Sequence, residues 1–337
     1  RLDAEHGRTN MTDMDYGTDR EILETAVRWL EQGHAPLLVT VARTWGASPR
    51  PVGSLMLMRE DGVCRGSVSG GCVEDDLVQR LTAGELPEAY PTRVDYGINA
   101  EEASRLGLPC GGRLELLVEK PPAAATLRKL LVRMQAGELV LRRVCLATGE
   151  VSLHPALPAD EFRYDEDCLQ KVFGPAWLLL LIGAGHLSHY VSRLAHMLDY
   201  RVVICDPRDD YDEAPLDGVE RVRLMPDEAV QAMVTHPRCA VVALTHDPKL
   251  DDMALLEALE SRAFYVGAIG SRRNSELRRT RLETLGIPRQ SLERLHAPVG
   301  LPIGSHSPPE IAVAILAEMT AVRNRVTAAG EVPTTTA

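Results

Sequence analysis

The residues with the clearest chemical potential lie in one glycine-rich segment, GSVSGGCVE, at positions 66–74. Glycine admits positive φ, which lets successive N–H groups approach a ligand closely. Such N–H groups form an anion-binding concavity, and the helix expected from residue 73 adds partial positive charge. At this point Cys72 is expected to favour its thiolate form, although a tight turn around a buried thiol is the alternative. The candidate ligand contacts are Gly66, Ser67, Ser69, Gly70, Gly71, Cys72 and Glu74.

A second glycine-rich loop, LIGAGH at 181–186, lies between a predicted apolar strand and a predicted helix. Gly183 and Gly185 match a variant of the dinucleotide fingerprint G-x-G-x-x-G, with Ser188 at the third glycine position. Asp206 ends the next predicted strand, where an acid binds a ribose hydroxyl in this fold. The alternative is a domain of this shape that holds no nucleotide. The crevice residues predicted here are Gly183, Gly185, His186, Asp206 and Arg208.

Two further polar clusters follow predicted strands of the same region. Because residues after parallel strands line the ligand crevice, both clusters are candidates for binding. His246 and Asp247 are the best acid–base pair for an oxidoreductase. Ser271, Arg272 and Arg273 begin a predicted helix and suit a phosphate or a carboxylate.

Several of these charged side chains have a plainer alternative. Arg208 contacts a phosphate or pairs with a neighbouring carboxylate, and His186 either contacts a ligand or is hydrogen-bonded within the fold. Arg278, Arg279 and Arg281 are expected to form a solvated helix face rather than a nucleic-acid surface.

The two glycine loops require two kinds of α/β architecture. Strands alternate with helices in the C-terminal half, which predicts a Rossmann-like, doubly wound parallel sheet. The N-terminal half has a hairpin pattern around Asp61-Gly62 and predicts a smaller α+β domain. A middle segment rich in Pro, Asp and Glu near residues 155–174 is predicted to be a linker. The predicted divisions are a disordered tail at 1–18, the N-terminal domain at 19–122, the middle segment at 123–175, the Rossmann-like domain at 176–327 and a second tail at 328–337.

Composition narrows the function further. The chain has 337 residues and a net charge of −11, which argues against a general nucleic-acid binder. It has no run of about 18 apolar residues that would span a membrane, and its polar start lacks the apolar core of a signal peptide. The seven cysteines are widely spaced without a CxxC pair, which is typical of a reducing cytoplasm.

These segments together resemble the XdhC/CoxI family of accessory proteins for xanthine and carbon monoxide dehydrogenases. The motifs run in family order across most of the chain, and only the middle segment carries none of them. The matching segments are RTWGASPRPVGS (43–54), GSVSGGCVEDDL (66–77), CGGRLELLVE (110–119), LIGAGH (181–186), VVICDPR (202–208), THD (245–247), GAIGSRRN (267–274) and HAPVGLPIGSHSPPEIAVAILAEM (296–319).

The resemblance implies a cytoplasmic chaperone rather than a catalyst. Such proteins bind molybdenum cofactor, support its sulfuration and insert it into an apo-molybdoenzyme of the xanthine dehydrogenase type. The implied partners are that apo-enzyme and a cysteine desulfurase, and a homodimer is expected. The cofactor is molybdopterin, with a cytidine extension as one form, and the Rossmann crevice is a candidate site for the nucleotide part.

The residues are compatible with this function. Molybdopterin carries a phosphate, which suits the glycine loop, and a metal on soft dithiolene sulfurs, which suits a thiolate. Cys72 and Cys110 are the candidate molybdenum or sulfur-relay thiolates, with Gly111 beside the second. The other five cysteines lie in predicted strands or the linker and are expected to be structural.

Two other functions remain open at this stage. An NAD(P)-dependent oxidoreductase would be built on the Rossmann-like domain and would use His246 with Asp247. A transferase acting on the cofactor would move either a nucleotidyl group or sulfur. The nucleotidyl reaction needs clustered carboxylates for magnesium, and the sequence shows no such cluster. Sulfur transfer needs little beyond an exposed thiolate.

Overall fold

The computed structural model describes residues 19–46, 50–87, 89–97, 112–157, 160–208, 218–245 and 247–325. The chain forms two compact units that divide between Gly174 and Pro175. Unit 1 is the part up to Gly174, and unit 2 begins at Pro175.

A five-stranded antiparallel sheet forms the first part of unit 1, in the order β3-β2-β1-β5-β4. Alternate residues of the central strands, such as Val39 and Leu116, are buried on one face against Val73 and Leu77 of helix α2. The predicted hairpin is present, and Gly62 takes φ +87° in its turn. The elements are β1 (Leu37–Trp45), β2 (Leu55–Met58), β3 (Cys64–Gly66), α2 (Cys72–Thr82), β4 (Thr92–Tyr96) and β5 (Arg113–Glu119).

The rest of unit 1 is a four-stranded antiparallel sheet in the order β7-β6-β9-β8, together with two packed helices. Sequence composition suggested a linker at 155–174, whereas the structure has strands there. A buried, bidentate ion pair joins the two sheets, with Arg142 Nη1 and Nη2 each 2.9 Å from an oxygen of Glu119. The elements are α1 (Asp19–Glu31), α3 (Ala124–Gln135), β6 (Val140–Cys145), β7 (Val151–Pro155), β8 (Arg163–Tyr164) and β9 (Cys168–Phe173).

Unit 2 is a six-stranded parallel sheet in the order β12-β11-β10-β13-β14-β15. Leu178 and Leu180 belong to the core on one face, and Leu179 and Leu181 to the core on the other. Burial on both faces explains the continuous apolar run of β10. The strands are β10 (Trp177–Ile182), β11 (Tyr200–Cys205), β12 (Val219–Val222), β13 (Cys239–Ala243), β14 (Tyr265–Ala268) and β15 (Leu295–His296).

The helices of unit 2 connect these strands. They are α4 (His186–Met197), α5 (Pro226–Met233), α6 (Pro248–Glu260), α7 (Arg272–Thr284), α8 (Arg289–Leu292) and α9 (Pro308–Arg323). The strand order reverses between β10 and β13, and ligands bind at such a switch point in doubly wound folds. The predicted fold class, a Rossmann-like parallel sheet with an N-terminal α+β part, is confirmed.

Candidate functional site

Three of the sequence motifs meet at one end of the five-stranded sheet. Strand β5 starts opposite the end of β1, with Arg113 paired to Trp45. Strand β3 runs parallel to β1 and leads to the loop at 66–71, whose Ser67 N–H donates to Leu55 O at 3.2 Å. Arg50, in the β1–β2 connection, lies with its Nε 3.4 Å from Ser67 Oγ. This end of the sheet, here called the motif end, is the candidate site of unit 1.

The glycine loop at the motif end holds an anion, and that anion is the carboxylate of Glu74. Oε1 of Glu74 accepts from the N–H of Val68 at 2.9 Å and of Ser69 at 2.7 Å, and Oε2 accepts from Gly71 at 3.0 Å. The Ser67 hydroxyl donates to Oε1 at 2.7 Å, and the Ser69 hydroxyl donates to Oε2. Burial raises the pKa of Glu74, but the hydrogen bonds from Ser69 and Ser67 outweigh it and hold the pKa below its ordinary value.

This geometry corrects the expected role of the loop. Ser67, Ser69 and Glu74 are buried and hydrogen-bonded to one another, so they support the loop from inside. Gly66 has φ +78°, and a Cβ there would clash with the Leu55 carbonyl. Glycine is therefore needed at this position for the packing of the chain itself. The N–H groups of residues 68, 69 and 71 are therefore used within the chain rather than open to an external anion.

What faces solvent in this loop is Gly70 and Cys72. Cys72 is the first residue of α2 and is an exposed free cysteine. Gly70 is also exposed, and a Cβ built on it meets nothing within 4 Å. A thiol at a helix start with open backbone beside it can reach a soft metal or another sulfur. Contact of a cofactor with these two residues stays a prediction, as does the role of Cys110 and Gly111, which lie outside the described residues.

Sequence reasoning missed an aromatic feature at the same end. Trp45 is 40% exposed, and the Arg113 guanidinium lies 4.7 Å from its ring centroid. Arg113 Nη2 also lies 3.0 Å from Asp95 Oδ1, which fixes the guanidinium. An exposed, supported indole offers a flat apolar face. Its place within RTWGASPRPVGS was the available signal.

In unit 2, the glycine loop after β10 is held by backbone geometry. Gly183 has φ +106°, and a Cβ there would lie 2.9 Å from Thr245 Cγ2. Ser188, at the third fingerprint position, is buried and donates to Gly183 O at 2.5 Å. Gly185 caps α4, and a Cβ on it meets nothing within 4 Å, while His186 begins the helix and is exposed. The Ser188 hydroxyl is thus used within the loop, whereas the space next to Gly185 stays free of other atoms of the chain.

Asp206 is also engaged within the chain. Its Oδ2 accepts from the Ala184 N–H at 2.8 Å, and both oxygens pair with the Arg208 guanidinium at 2.9 Å. Burial raises the pKa of Asp206, but Arg208 and the Ala184 N–H outweigh it and hold the pKa below its ordinary value. Of the two roles that the sequence allowed for Arg208, the structure shows pairing with a neighbouring carboxylate.

Two of the remaining predicted residues of unit 2 are helix caps. Asp247 caps α6, with one carboxylate oxygen accepting from Lys249 N at 2.9 Å, and His246 lies outside the described residues. Ser271 caps α7 by accepting from Asn274 N at 3.2 Å. Arg272 and Arg273 follow it and are exposed. They remain the candidate anion contacts at this edge of the sheet.

The arginines farther along α7 differ from the solvated face expected of them. Arg278 is buried and donates to Asp251 Oδ2 at 2.8 Å and to Ile269 O at 2.8 Å. Asp251 also accepts from Thr245, directly after β13. Burial raises the pKa of Asp251 despite these partners. Arg279 donates to the carbonyls of residues 292 and 295.

A second polar cluster supports the HAPVGLPIG segment. Glu318 of α9 accepts from the Tyr265 hydroxyl at 2.5 Å and from Gly300 N at 2.8 Å. Its other oxygen lies 3.3 Å from His296 Nδ1, and the His296 ring stacks on Tyr265 at 4.5 Å. The cluster joins β14, β15 and α9, which are far apart in sequence. The HAPVGLPIG motif was therefore its only signal in the sequence.

The described residues contain neither a metal cluster nor a membrane-spanning helix. No group of three or more His, Cys, Asp or Glu side chains in the described part of the chain is arranged to hold a metal ion. No helix among the described residues is long and apolar enough to cross a membrane.

Comparisons with known proteins follow the same division into two units. Residues 29–97 match the sequence pattern described as the XdhC and CoxI family, and residues 179–319 match the XdhC Rossmann domain. The chain is 30% identical over 315 residues to the molybdenum cofactor insertion chaperone PaoD of Escherichia coli K12, covering 90% of this chain and 88% of that protein.

Two more distant matches also span nearly the whole chain. A Bacillus subtilis 168 protein, named as a probable xanthine dehydrogenase subunit, is 24% identical over 326 residues, covering 88% of this chain and 96% of that one. A crystal structure described as a xanthine dehydrogenase from Bacillus halodurans superposes with a TM-score of 0.70 at 24% identity, covering 94% and 98% of the two chains. That likeness shows the shared fold. The two family patterns and the 30% identity to the chaperone confirm the resemblance seen in the motifs: the chain belongs to the XdhC and CoxI family.

Proposed function

We propose that this protein is a cytoplasmic accessory protein that binds molybdenum cofactor and inserts it into an apo-molybdoenzyme of the xanthine dehydrogenase type. The observation that carries the proposal is the 30% identity, along nearly the full length of both chains, to a protein named as a molybdenum cofactor insertion chaperone. The cofactor is the cargo of this chain, and its client is the enzyme that keeps it.

The exposed end of unit 1 supports a cofactor-binding role. Cys72 offers a soft sulfur to molybdenum, with open backbone at Gly70 beside it. The exposed ring of Trp45 supports a stacking contact with the flat pterin. Cys110 is proposed as a second thiolate. Because Glu74 already uses the inner N–H groups, the cofactor phosphate is left to the first turn of α2 and to side chains at the motif end.

We extend the proposal to sulfuration. An exposed thiolate can attack the outer sulfur of a cysteine desulfurase persulfide, which moves that sulfur to Cys72 and releases the desulfurase thiolate, so Cys72 is proposed as the residue that receives the sulfur destined for the cofactor. The protein is also proposed to act as a homodimer.

Unit 2 is proposed to hold the nucleotide part of a cofactor that carries a cytidine extension. The open backbone at Gly185 and the exposed Arg272 and Arg273 support this role. Binding of a nicotinamide dinucleotide in the usual manner is less favoured, because Asp206 is engaged by Ala184 and Arg208 instead of facing ribose hydroxyls. Calorimetric titration with cytidine monophosphate and with NAD measures both affinities. Tighter binding of NAD would favour the oxidoreductase alternative.

The test of cofactor binding is the molybdenum and pterin content of protein purified from cells that make the cofactor. Wild-type protein is expected to carry stoichiometric molybdenum and a fluorescent pterin. Cys72→Ala and Cys110→Ala should each lower the molybdenum affinity by about tenfold or more, since a lost metal–sulfur contact is worth at least ~1.4 kcal/mol. Trp45→Ala should lower the pterin content together with the metal.

Cys64→Ser is the matched control, because Cys64 lies in the same sheet, in the hairpin before the loop. Its metal load should equal that of the wild type. Wild-type protein without molybdenum or pterin would contradict the proposed function. Unchanged load in both alanine variants would remove only the thiolate contacts.

A further inference from the structure

Two cysteines outside the motif end face each other across a pair of strands in unit 1. Cys145 ends β6 and Cys168 begins β9, and the two are direct partners in the antiparallel register. The neighbouring pair is hydrogen-bonded, since Leu146 N donates to Asp167 O at 2.9 Å. Cys145 N instead donates to Glu150 O, and Cys168 N to Asp165 Oδ1. Cys145 and Cys168 therefore form a non-hydrogen-bonded pair.

That pairing meets the geometric needs of a disulfide. Partners in a non-hydrogen-bonded pair have Cα atoms about 4.5 Å apart and side chains on the same face of the sheet. Disulfides join Cα atoms about 4.4 to 6.8 Å apart. Rotation about the two Cα–Cβ bonds is then enough to bring the sulfurs together, without a change of register.

The two sulfurs have different surroundings. Cys145 is partly exposed beside the turn between β6 and β7, whereas Cys168 is only 3% exposed and its Sγ accepts from Gln170 Nε2 at 3.6 Å. Hydrogen bonds from the Thr148 hydroxyl, and then from the N–H groups of Thr148 and Ala147, lower the pKa of Cys145. An accessible thiol of lowered pKa, backed by a protected second thiol, is the arrangement of a reactive cysteine and its resolving partner.

Three other described cysteines, Cys64, Cys205 and Cys239, lack these properties. Burial raises the pKa of Cys64 to about 11 and that of Cys205 to about 12. Cys239 is fully buried and lies 3.4 Å from His236 Nδ1, and burial raises its pKa as well. A reactive β6–β9 pair would be an exception to the expectation that all cysteines other than 72 and 110 are structural.

We propose that Cys145 and Cys168 are a modification site that closes to a cross-strand disulfide on reaction with a hydroperoxide. The Cys145 sulfur attacks one peroxide oxygen and the O–O bond breaks, which leaves a sulfenic acid on Cys145 and releases water or an alcohol. The Cys168 sulfur then attacks the sulfenic sulfur, and the S–O bond breaks with loss of water. The two thiols lose two electrons and the hydroperoxide gains them. The inference is independent of the proposed function.

The experiment is peptide mapping of the full-length protein after hydrogen peroxide treatment and blocking of remaining thiols with N-ethylmaleimide. The expected product is a linked pair of peptides containing Cys145 and Cys168, about 2 Da lighter than the two thiol peptides together. Dithiothreitol should reverse the linkage. Because wild-type protein supplies this result, it does not depend on the folding of a variant.

Variants separate the two roles. Cys168→Ser should accumulate a sulfenic acid on Cys145 that dimedone traps, and Cys145→Ser should leave Cys168 as a free thiol at the same peroxide dose. Cys64→Ser, in the other sheet of unit 1, should form the linkage as the wild type does. The proposal is overturned if Cys145 becomes a sulfinic acid while Cys168 still reacts with maleimide, or if Cys145 remains a thiol when Cys72 is oxidised.

Discussion

The two glycine loops of this protein look alike in sequence and hold the same kind of group in different ways. In unit 1 the Gly66–Gly71 loop surrounds the Glu74 carboxylate with three N–H groups and two serine hydroxyls. In unit 2 Asp206 takes one N–H of the Gly183–Gly185 loop and pairs with the Arg208 guanidinium. Each loop has thus enclosed an acid from its own chain.

The two enclosed acids differ in the partners that surround them. The Glu74 oxygens are sealed by neutral donors inside the loop, and the whole residue is 6% exposed. Asp206 is instead paired with the charged side chain of Arg208, which is 31% exposed and so reaches the surface. The N–H groups of a glycine loop therefore predict a ligand site only where no acid of the same chain already accepts from them. By that count, the part of the glycine loop in unit 1 that remains open to solvent is Gly70 and Cys72.

The largest expected effect is that of Glu74→Ala. The substitution leaves several buried donors without an acceptor and should lower the free energy of unfolding by about 4 kcal/mol. Urea denaturation followed by fluorescence measures it. Asp75→Ala, an exposed acid one residue along the same helix, should change it by no more than about 0.5 kcal/mol.

The same variant also tests whether the loop truly holds an anion. With the carboxylate gone, added phosphate can occupy the vacated N–H groups, so phosphate should stabilise Glu74→Ala more than it stabilises the wild type or Asp75→Ala. Equal stabilisation of all three proteins would show that the loop is a packing device rather than an anion cradle.

Gly183→Ala should have the next largest effect. The substitution forces a side chain into φ +106° and against Thr245, which should cost about 3 kcal/mol. Gly185→Ala is the control, because its φ is −78° and its Cβ has open space. Thermal unfolding compares the two. Similar melting temperatures for both variants would mean that the loop rearranges easily, and the contrast between the two units would weaken.

Sequence patterns predicted unit 2 better than unit 1, for a physical reason. Strands of a parallel sheet are buried on both faces, so β10, WLLLLI, reads as one apolar run followed by a helix. Strand β9, CLQKVF, sits in a polar region and becomes a strand only by pairing with β6. That pairing is non-local, and composition alone suggested a linker.

The candidate site, too, was predicted from the sequence only in part. The position of Cys72 where a loop meets a helix followed from the glycines and the helix pattern after them, but its exposure did not, because a buried thiol was the alternative. The role of Glu74 did not, because a glycine loop gives no indication of whether its N–H groups point inwards or outwards. A signal was nevertheless present, since an acid at the third helical residue commonly reaches back to the N–H of the capping residue. Here that N–H belongs to Gly71.

A smaller loss is expected for Asp206→Asn. The amide keeps one acceptor but loses the charge that pairs with Arg208, so the free energy of unfolding should fall by about 2 kcal/mol. A double-mutant cycle with Arg208→Met should give a coupling of about 1 kcal/mol or more. If Asp206→Asn instead keeps full stability but loses nucleotide affinity, the acid belongs to a ligand and the two loops differ more than their contacts suggest.

The smallest effect on stability, and the sharpest on function, is expected for Gly70→Ala. The added methyl group meets nothing within 4 Å, so the melting temperature should stay within about 1 °C of the wild type. If the cofactor approaches the backbone beside Cys72, the same methyl group occupies its space and the molybdenum load falls.

Gly66→Ala is the control for general damage to the loop, because its Cβ would clash with Leu55 and should lower stability regardless of any ligand. A Gly70→Ala protein with full stability and full molybdenum content would show that the cofactor does not approach the backbone at Gly70, and contact with the cofactor would then have to come from other groups of the motif end.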